Sequence, residues 1–216
     1  MNSQNNISLL ESLHQDLLGD ILSRVGSTSV EDIRPCLLVS KTIAAAVEDH
    51  RVFHNLNLRP QAMNPLVTFF RTRHRLQKCI DGGHPAAHYI EGIKQYFIFD
   101  NMNLGLYHLK KSAEGKYDNC TYLYSMLLLC NGNIAEGKIV LSSLDWEENK
   151  LRADRAWREV KRSMRFVFVI MKDVYSENLK NNRPPLSCHK NDMDNRCVRC
   201  FPYKQMRKFL GFIRSA

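Results

Sequence analysis

Two stretches of the 216-residue chain share one design and decide its fold: residues 82–97, "GGHPAAHYIEGIKQYF", and residues 115–130, "GKYDNCTYLYSMLLLC". The equivalent positions, all 33 residues apart, are Gly82 and Gly115, His84 and Tyr117, Ala87 and Cys120, Tyr89 and Tyr122, and Gly92 and Ser125. Each stretch is followed by a second apolar segment of helical spacing. A period near 33 residues with two helices per unit predicts stacked helical hairpins over residues 82–146.

This segment resembles the Sel-type relatives of tetratricopeptide repeats. The residues that carry the resemblance are Gly105, Leu109, Ala113, Gly115, Tyr117 and Cys120, with Ser112 and Cys120 each standing where that family has alanine. The resemblance implies a protein-binding helical array. Because stable arrays usually need three or more units and only two are evident, we expect flanking helices to cap them.

Upstream, residues 1–58 form a separate helical module. Its first apolar residues fall on one face of a helix: Leu13, Leu17, Leu18, Ile21, Leu22 and Val25. Gly26 predicts the end of this helix, Thr28 with Glu31 predicts a capping box for a second, and Ser40 predicts the cap of a third. Pro35 should shorten or kink the second helix. Such a small module leaves apolar surface that is either an interface or packs on the rest of the chain.

The module resembles an F-box. The matching positions are Leu13, Asp16, Leu17, Leu18, Asp20, Ile21, Leu22, Arg24, Val25, Val39, Ser40, Lys41 and Phe53. His14 departs from the family's usual proline, and Ile43 stands where that family often has tryptophan. The arrangement of an F-box followed by a short Sel-type segment resembles that of plant F-box proteins.

This resemblance implies a role as the substrate-recruiting subunit of a cullin–RING ubiquitin ligase. The F-box would dock on a Skp-family adaptor, and the repeats would hold an unknown protein target. The residues expected at the adaptor contact are Leu13, Leu17, Leu18, Ile21, Leu22, Leu38, Val39, Lys41 and Ile43. One alternative function is a helical scaffold that no longer binds the adaptor. The changes at His14 and Ile43 keep this alternative open.

Charge is distributed unevenly along the chain. Residues 1–58 carry a net charge of −3, whereas the remaining 158 residues carry +12. The segment 59–81, which we interpret as a basic linker, concentrates part of this charge in Arg71, Arg73, Arg75 and Lys78. A basic nucleic-acid-binding module that uses this cluster and residues 180–216 is therefore an alternative function. We favour the simpler interpretation of a solvated helix flank, so nucleic acid is not the expected partner.

Beyond the repeats, residues 147–180 predict one long helix that caps the array. Its apolar residues alternate in steps of four and three: Ala153, Trp157, Val160, Met164, Val167, Met171 and Val174. The basic tail, residues 181–216, then contains cysteines. Cys197 and Cys200 form a C-x-x-C pair, and Cys188 and His189 could complete a structural zinc site. Because adjacent residues rarely both reach one metal, Cys188 is the better candidate of the two, and reduced cysteines without metal are the alternative.

Several functional classes are not indicated. The sequence contains no Walker loop, dinucleotide glycine motif, G-x-S-x-G or H-E-x-x-H pattern, so we expect no enzymatic activity and no required cofactor. No apolar stretch approaches the roughly 20 residues of a bilayer span, and the first residues do not resemble a signal peptide. We therefore expect an all-α protein of the nucleus or cytoplasm with no membrane partner.

Overall fold

The fold consists of helices joined by short connections. The computed structural model describes residues 8–67, 73–189, 191–195 and 197–215, and those residues contain no β-strand, which confirms the all-α prediction. The helices are α1 (Gln15–Thr28), α2 (Val30–Val39), α3 (Lys41–Val47), α4 (His50–Asn55), α5 (Arg59–Ala62), α6 (Arg73–Asp81), α7 (Pro85–Ile93), α8 (Met102–Glu114), α9 (Asp118–Cys130), α10 (Ile134–Ser142), α11 (Lys150–Ser163), α12 (Asp173–Asn181) and α13 (Phe201–Ser215). None of these described helices is long and apolar enough to cross a membrane.

The N-terminal module is built from α1 to α4, with α1 packed against the other three. Helix α1 continues two residues past Gly26 because the Ser29 N–H bonds to the Val25 carbonyl. Gly26 is required by packing instead, since a Cβ there would lie 2.7 Å from Leu56 Cδ2. Ser29, not Thr28, caps α2 through a bond from the Glu31 N–H, and Pro35 lies inside this short helix.

The predicted repeats are two helical hairpins, α7 with α8 and α9 with α10. A π-helical turn, Lys94–Ile98, prolongs α7. Each hairpin has a glycine at its closest helix–helix contact, where the absence of a Cβ lets the two helices approach each other. A Cβ on Gly105 would lie 2.6 Å from Tyr96 Cβ, and one on Gly137 would lie 2.9 Å from Leu129 Cγ. Tyr96 and Leu129 are 33 residues apart, so the same close contact recurs in both units.

Helix α9 is the centre of the molecule. Twelve consecutive residues, Asn119 through Cys130, are buried, and α8, α10, α11, α12 and α13 all pack against it. Its polar side chains find partners inside this shell. Tyr122 donates from its hydroxyl to Gln205 Oε1 of α13 at 3.0 Å, and Asn119 donates to Glu159 Oε2 of α11 at 3.3 Å. Helix α11 thus stands where a third repeat would begin, in the expected capping role.

The single long helix predicted over residues 147–180 is wrong. Helix α11 ends at Ser163, and α12 begins only at Asp173. Between them the run Phe166–Ile170 is aromatic and β-branched, which favours extended backbone over helix. Val167 and Val169 point into the core while Phe166, Phe168 and Ile170 are exposed, an alternation of period two that replaces the predicted heptad.

Several contacts fix the N-terminal module to the repeats. His84 Nε2 lies 2.7 Å from the Leu56 carbonyl oxygen, and Lys78 of α6 pairs with Glu48. Arg59 crosses to α11, where its Nη2 is 2.5 Å from Glu159 Oε1. Of the predicted basic cluster, Lys78 is therefore engaged within the protein, whereas Arg71 lies outside the described residues and nothing is described of the Arg73 side chain.

Helix packing at Gly105 gives a direct test. In Gly105→Ala the new methyl would also meet the Tyr96 backbone nitrogen at 2.7 Å, so we expect a loss of about 1–3 kcal/mol of stability from overpacking. Gly211→Ala, in α13 with no atom within 4 Å, is the matched control and should gain up to about 1 kcal/mol. Urea unfolding of both variants measures the difference. Equal stability of the two would contradict the close contact.

A histidine pair inside the first hairpin makes stability depend on pH. His88 Nδ1 and His108 Nδ1 are 2.9 Å apart, so one ring donates and the other accepts. Burial, and then the neighbouring His108 ring, lower the pKa of His88 to about 4. Burial also lowers the pKa of His108. The folded protein therefore holds both rings neutral.

Unfolded histidine titrates near pH 6.5, so between about pH 6.5 and 4 the unfolded chain binds more protons than the folded one. We expect stability to fall as the pH is lowered through this window, by about 2–3 kcal/mol from His88. Thermal unfolding midpoints between pH 7.5 and 4.5 measure the slope. His88→Gln should flatten this slope, because it removes the ring whose pKa is lowered. The same slope in His88→Gln and in wild type would refute the assignment.

Candidate functional site

The N-terminal module exposes large apolar side chains on two of its helices. Its members are Leu17 and Ile21 on α1, exposed by 53% and 38%, and Leu38 and Val39 at the end of α2, exposed by 88% and 64%. We call these four residues the apolar face. Leu17 and Ile21 are one helical turn apart and therefore project side by side. Large apolar side chains with this much exposure are typical of an interaction surface.

The remaining residues predicted at the adaptor contact have other positions. Lys41 is exposed, and Leu13 is half-buried against the core. Leu18, Leu22 and Ile43 lie in the core of the module, each less than 5% exposed. Amphipathic spacing alone cannot separate Leu17 from Leu18 or Ile21 from Leu22. It does not show which edge of the apolar stripe on α1 is covered by α3 and α4. The structure therefore assigns these three side chains to packing within the module.

Three further large apolar residues of the module are exposed. Leu37 precedes Leu38 in α2, and Leu9 and Leu10 precede α1 in the chain. Leu9 is exposed by 91%, whereas Leu10 and Leu37 are exposed by 41% and 39%. The continuous apolar run from Leu37 to Val39 at a helix end is the sequence signal for the first. We found no comparable signal for Leu10.

An ionic cluster joins α1 to the start of α4. Arg51 Nη1 lies 2.7 Å from Asp20 Oδ1, and Arg51 Nη2 lies 2.6 Å from Asp49 Oδ2 and 3.2 Å from the Asp16 carbonyl oxygen. Hydrogen bonding from Arg51 lowers the pKa of the Asp49 carboxyl to about 2. Gly19 leaves room for this cluster, since its Cβ would lie 2.6 Å from Asp49 Oδ2.

Removal of the guanidinium should loosen α1. We expect Arg51→Met to reduce stability by about 1–2 kcal/mol, because it leaves the largely buried Asp49 carboxylate without its charged donor. Arg34→Met is the control: Arg34 pairs with Glu31 on the surface, and its loss should cost less than about 0.5 kcal/mol. Chemical denaturation and amide exchange of α1 report the effect. Unchanged exchange in Arg51→Met would argue against the cluster's role.

A second candidate site lies in the tail. The four predicted metal ligands, Cys188, His189, Cys197 and Cys200, place one ligand atom each within 4.8 Å of one another. We call them the Cys/His cluster. The Cys188 and Cys197 sulfurs are 3.5 Å apart, too far for a disulfide, whose bond is about 2.05 Å. His189, the weaker candidate from the sequence, lies within this same 4.8 Å limit.

Local backbone geometry brings these side chains together. The Cys188 N–H bonds to the Pro185 carbonyl, and the Asp192 N–H bonds to the His189 carbonyl, so the chain turns on both sides of the adjacent pair. Backbone bonding to Arg199, then the Cys188 thiol and the Cys200 backbone, lower the pKa of Cys197 to about 6. Burial raises the pKa of Cys188 to about 11.

A buried lysine binds the loop between the two halves of the cluster and was not a sequence candidate. Lys204 lies one turn into α13 and is fully buried. Its Nζ donates to the Asp192 carbonyl oxygen at 2.5 Å and to the Asn195 carbonyl oxygen. The sequence does contain one signal for this burial. Helical spacing places Lys204, three residues after Phe201, on the apolar side of α13 that also includes Phe209.

Comparisons with known proteins agree with this architecture. A family model described as plant tetratrico peptide repeats matches residues 62–165, which span the two hairpins and α11. F-box protein At2g35280 of Arabidopsis thaliana is 41% identical over 142 residues, which cover 65% of this chain and 85% of that protein.

The chain belongs to the plant F-box protein family. The putative F-box protein At1g67623 of Arabidopsis thaliana is also similar, at 29% identity over 129 residues and 60% of this chain, although the match spans only 43% of that longer relative. No solved structure matches the chain. The F-box with plant helical repeats predicted from the sequence is thereby confirmed.

Proposed function

We propose that this F-box protein is the substrate-recruiting subunit of a cullin–RING ubiquitin ligase and docks on a Skp-family adaptor through the apolar face. The observation that carries the proposal is the exposure of Leu17, Ile21, Leu38 and Val39 on an F-box module whose own core is already complete. Within the described part of the chain, each of these side chains keeps more than a third of its surface exposed. A partner that covers them would remove them from water.

The burial of these side chains by a partner would favour binding. Full burial of an exposed leucine, isoleucine or valine side chain contributes about 1.5–3 kcal/mol, and each of the four, which are exposed by 38–88%, would contribute a corresponding part of that value. Exposed Lys41, at the start of α3, would lie at the edge of this contact. Buried Ile43 stands where the family often has tryptophan and would act only through the packing of α3.

On this proposal the protein itself performs no chemistry. It would hold a target near a ubiquitin-charged enzyme, and the rate would rise through proximity. The helical repeats are the proposed target-binding half. A groove of about 780 Å³ supports this: it lies between the module and the N-terminal ends of α7, α9 and α11, and it contains Lys116 and Arg155 in addition to the ion-paired Arg59 and Arg152.

Co-purification with a Skp-family adaptor tests the proposal. Wild type should bind, whereas Leu17→Asp and Ile21→Asp should each weaken binding by at least about tenfold, because a charge replaces a buried apolar contact. Leu151→Asp, a change of an exposed leucine on α11, is the matched control and should bind like wild type. Circular dichroism should show the same helix content in all four proteins.

The outcomes separate the alternatives. A wild type that does not bind the adaptor would favour a scaffold that has lost its partner, and equal losses in Leu151→Asp would exclude the apolar face as the contact. Adaptor affinity should hardly change between 50 and 300 mM salt. Nucleic-acid binding, by contrast, would weaken steeply over that range through counterion release.

A further inference from the structure

We infer that the Cys/His cluster binds one structural Zn²⁺ and that the buried Lys204 ammonium is part of that site. The cluster offers three thiols and one imidazole, the ligand set that tetrahedral structural zinc takes most readily. With zinc–sulfur bonds of about 2.3 Å, two sulfurs of one tetrahedral site lie roughly 3.8 Å apart. The observed Cys188–Cys197 separation of 3.5 Å is close to that value.

The tail needs such a cross-link because it has little apolar packing of its own. Residues 182–200 contain no helix within their described part, and Leu186, Met193 and Val198 are exposed. Cys200 is nevertheless completely buried at the start of α13. Small loop-rich segments of this kind are commonly stabilised by a metal, whose binding free energy becomes folding free energy.

Lys204 supplies a second, independent observation. Its ammonium is fully buried, and among the described residues it forms no salt bridge; its recorded partners are the carbonyls of Asp192 and Asn195, in the loop between the two halves of the cluster. A buried cation with only neutral partners is costly. Three thiolates and a neutral histidine around Zn²⁺ carry a net charge of −1, which this ammonium would balance. The same side chain therefore orients the ligand loop and complements its charge.

The site would secure the C-terminal side of the repeat core. Helix α13 begins directly after Cys200, and its Phe201 stacks on Trp146 with ring centroids 4.0 Å apart. Gln205, one turn on, accepts the hydrogen bond from Tyr122 of the central helix α9. Zinc at the cluster would thus fix the position from which α13 reaches the core.

Metal analysis of the full-length protein tests the inference. After reconstitution with zinc chloride and removal of free metal, wild type should retain about one zinc per chain. Cys197→Ser and Cys188→Ser should retain much less, and Cys36→Ser, a change of a half-buried cysteine in α2, should retain as much as wild type. Lys204→Met, which keeps the length of the side chain, should lower zinc affinity by about 10–100-fold.

Cobalt substitution of wild type keeps the test decisive if a cysteine variant does not fold. Tetrahedral coordination by three thiolates should give strong thiolate-to-cobalt charge-transfer bands and intense visible absorption. Absence of those bands together with metal-free wild type would overturn the inference, as would full zinc retention by Cys197→Ser. Unchanged affinity in Lys204→Met would remove the lysine from the site. Adaptor binding is measured separately, so each result stands apart from the proposed function.

Discussion

The structure depends on burying one helix on every side. Helix α9 has no solvent face between Asn119 and Cys130, so each of its neighbours must present both apolar surface and the right polar partner. Glu159 of α11 and Gln205 of α13 meet these requirements from two directions. Unpaired buried polar groups are costly, so these two bonds favour the packing of α11 and α13 against α9.

This central burial also fixes the position of the N-terminal module. Glu159 of α11 binds both Asn119 of α9 and Arg59, which directly follows the module, and His84 at the start of α7 holds the Leu56 carbonyl. The module is therefore attached to the repeats through several hydrogen-bonded points. For a recruiting subunit, such stiffness would keep a bound target at a constant distance from the adaptor, which is the condition under which proximity raises a rate.

Local patterns predicted the hairpins and the module because their signals are periodic and close in sequence. The 33-residue spacing of Gly82 with Gly115 located both hairpins, and the C-x-x-C at Cys197 indicated the cluster. Tertiary contacts decided what periodicity could not. Leu18 and Ile43 are core residues because α1 and α3 face each other. Lys204 is buried because the loop that contains Asp192 and Asn195 folds back over α13. The break after Ser163 reflects a competition between helical spacing and β-branched residues, which the extended form wins.

That break has a consequence for the behaviour of the chain in a crowded cell. Phe166, Phe168 and Ile170 are exposed in this segment, and aromatic and β-branched runs of this kind tend to associate with other chains. Arg165 flanks the run at one end, and a charge next to an apolar run opposes such association. Lys172, at the other end, is paired with Asp100, so less of its charge is available for this effect.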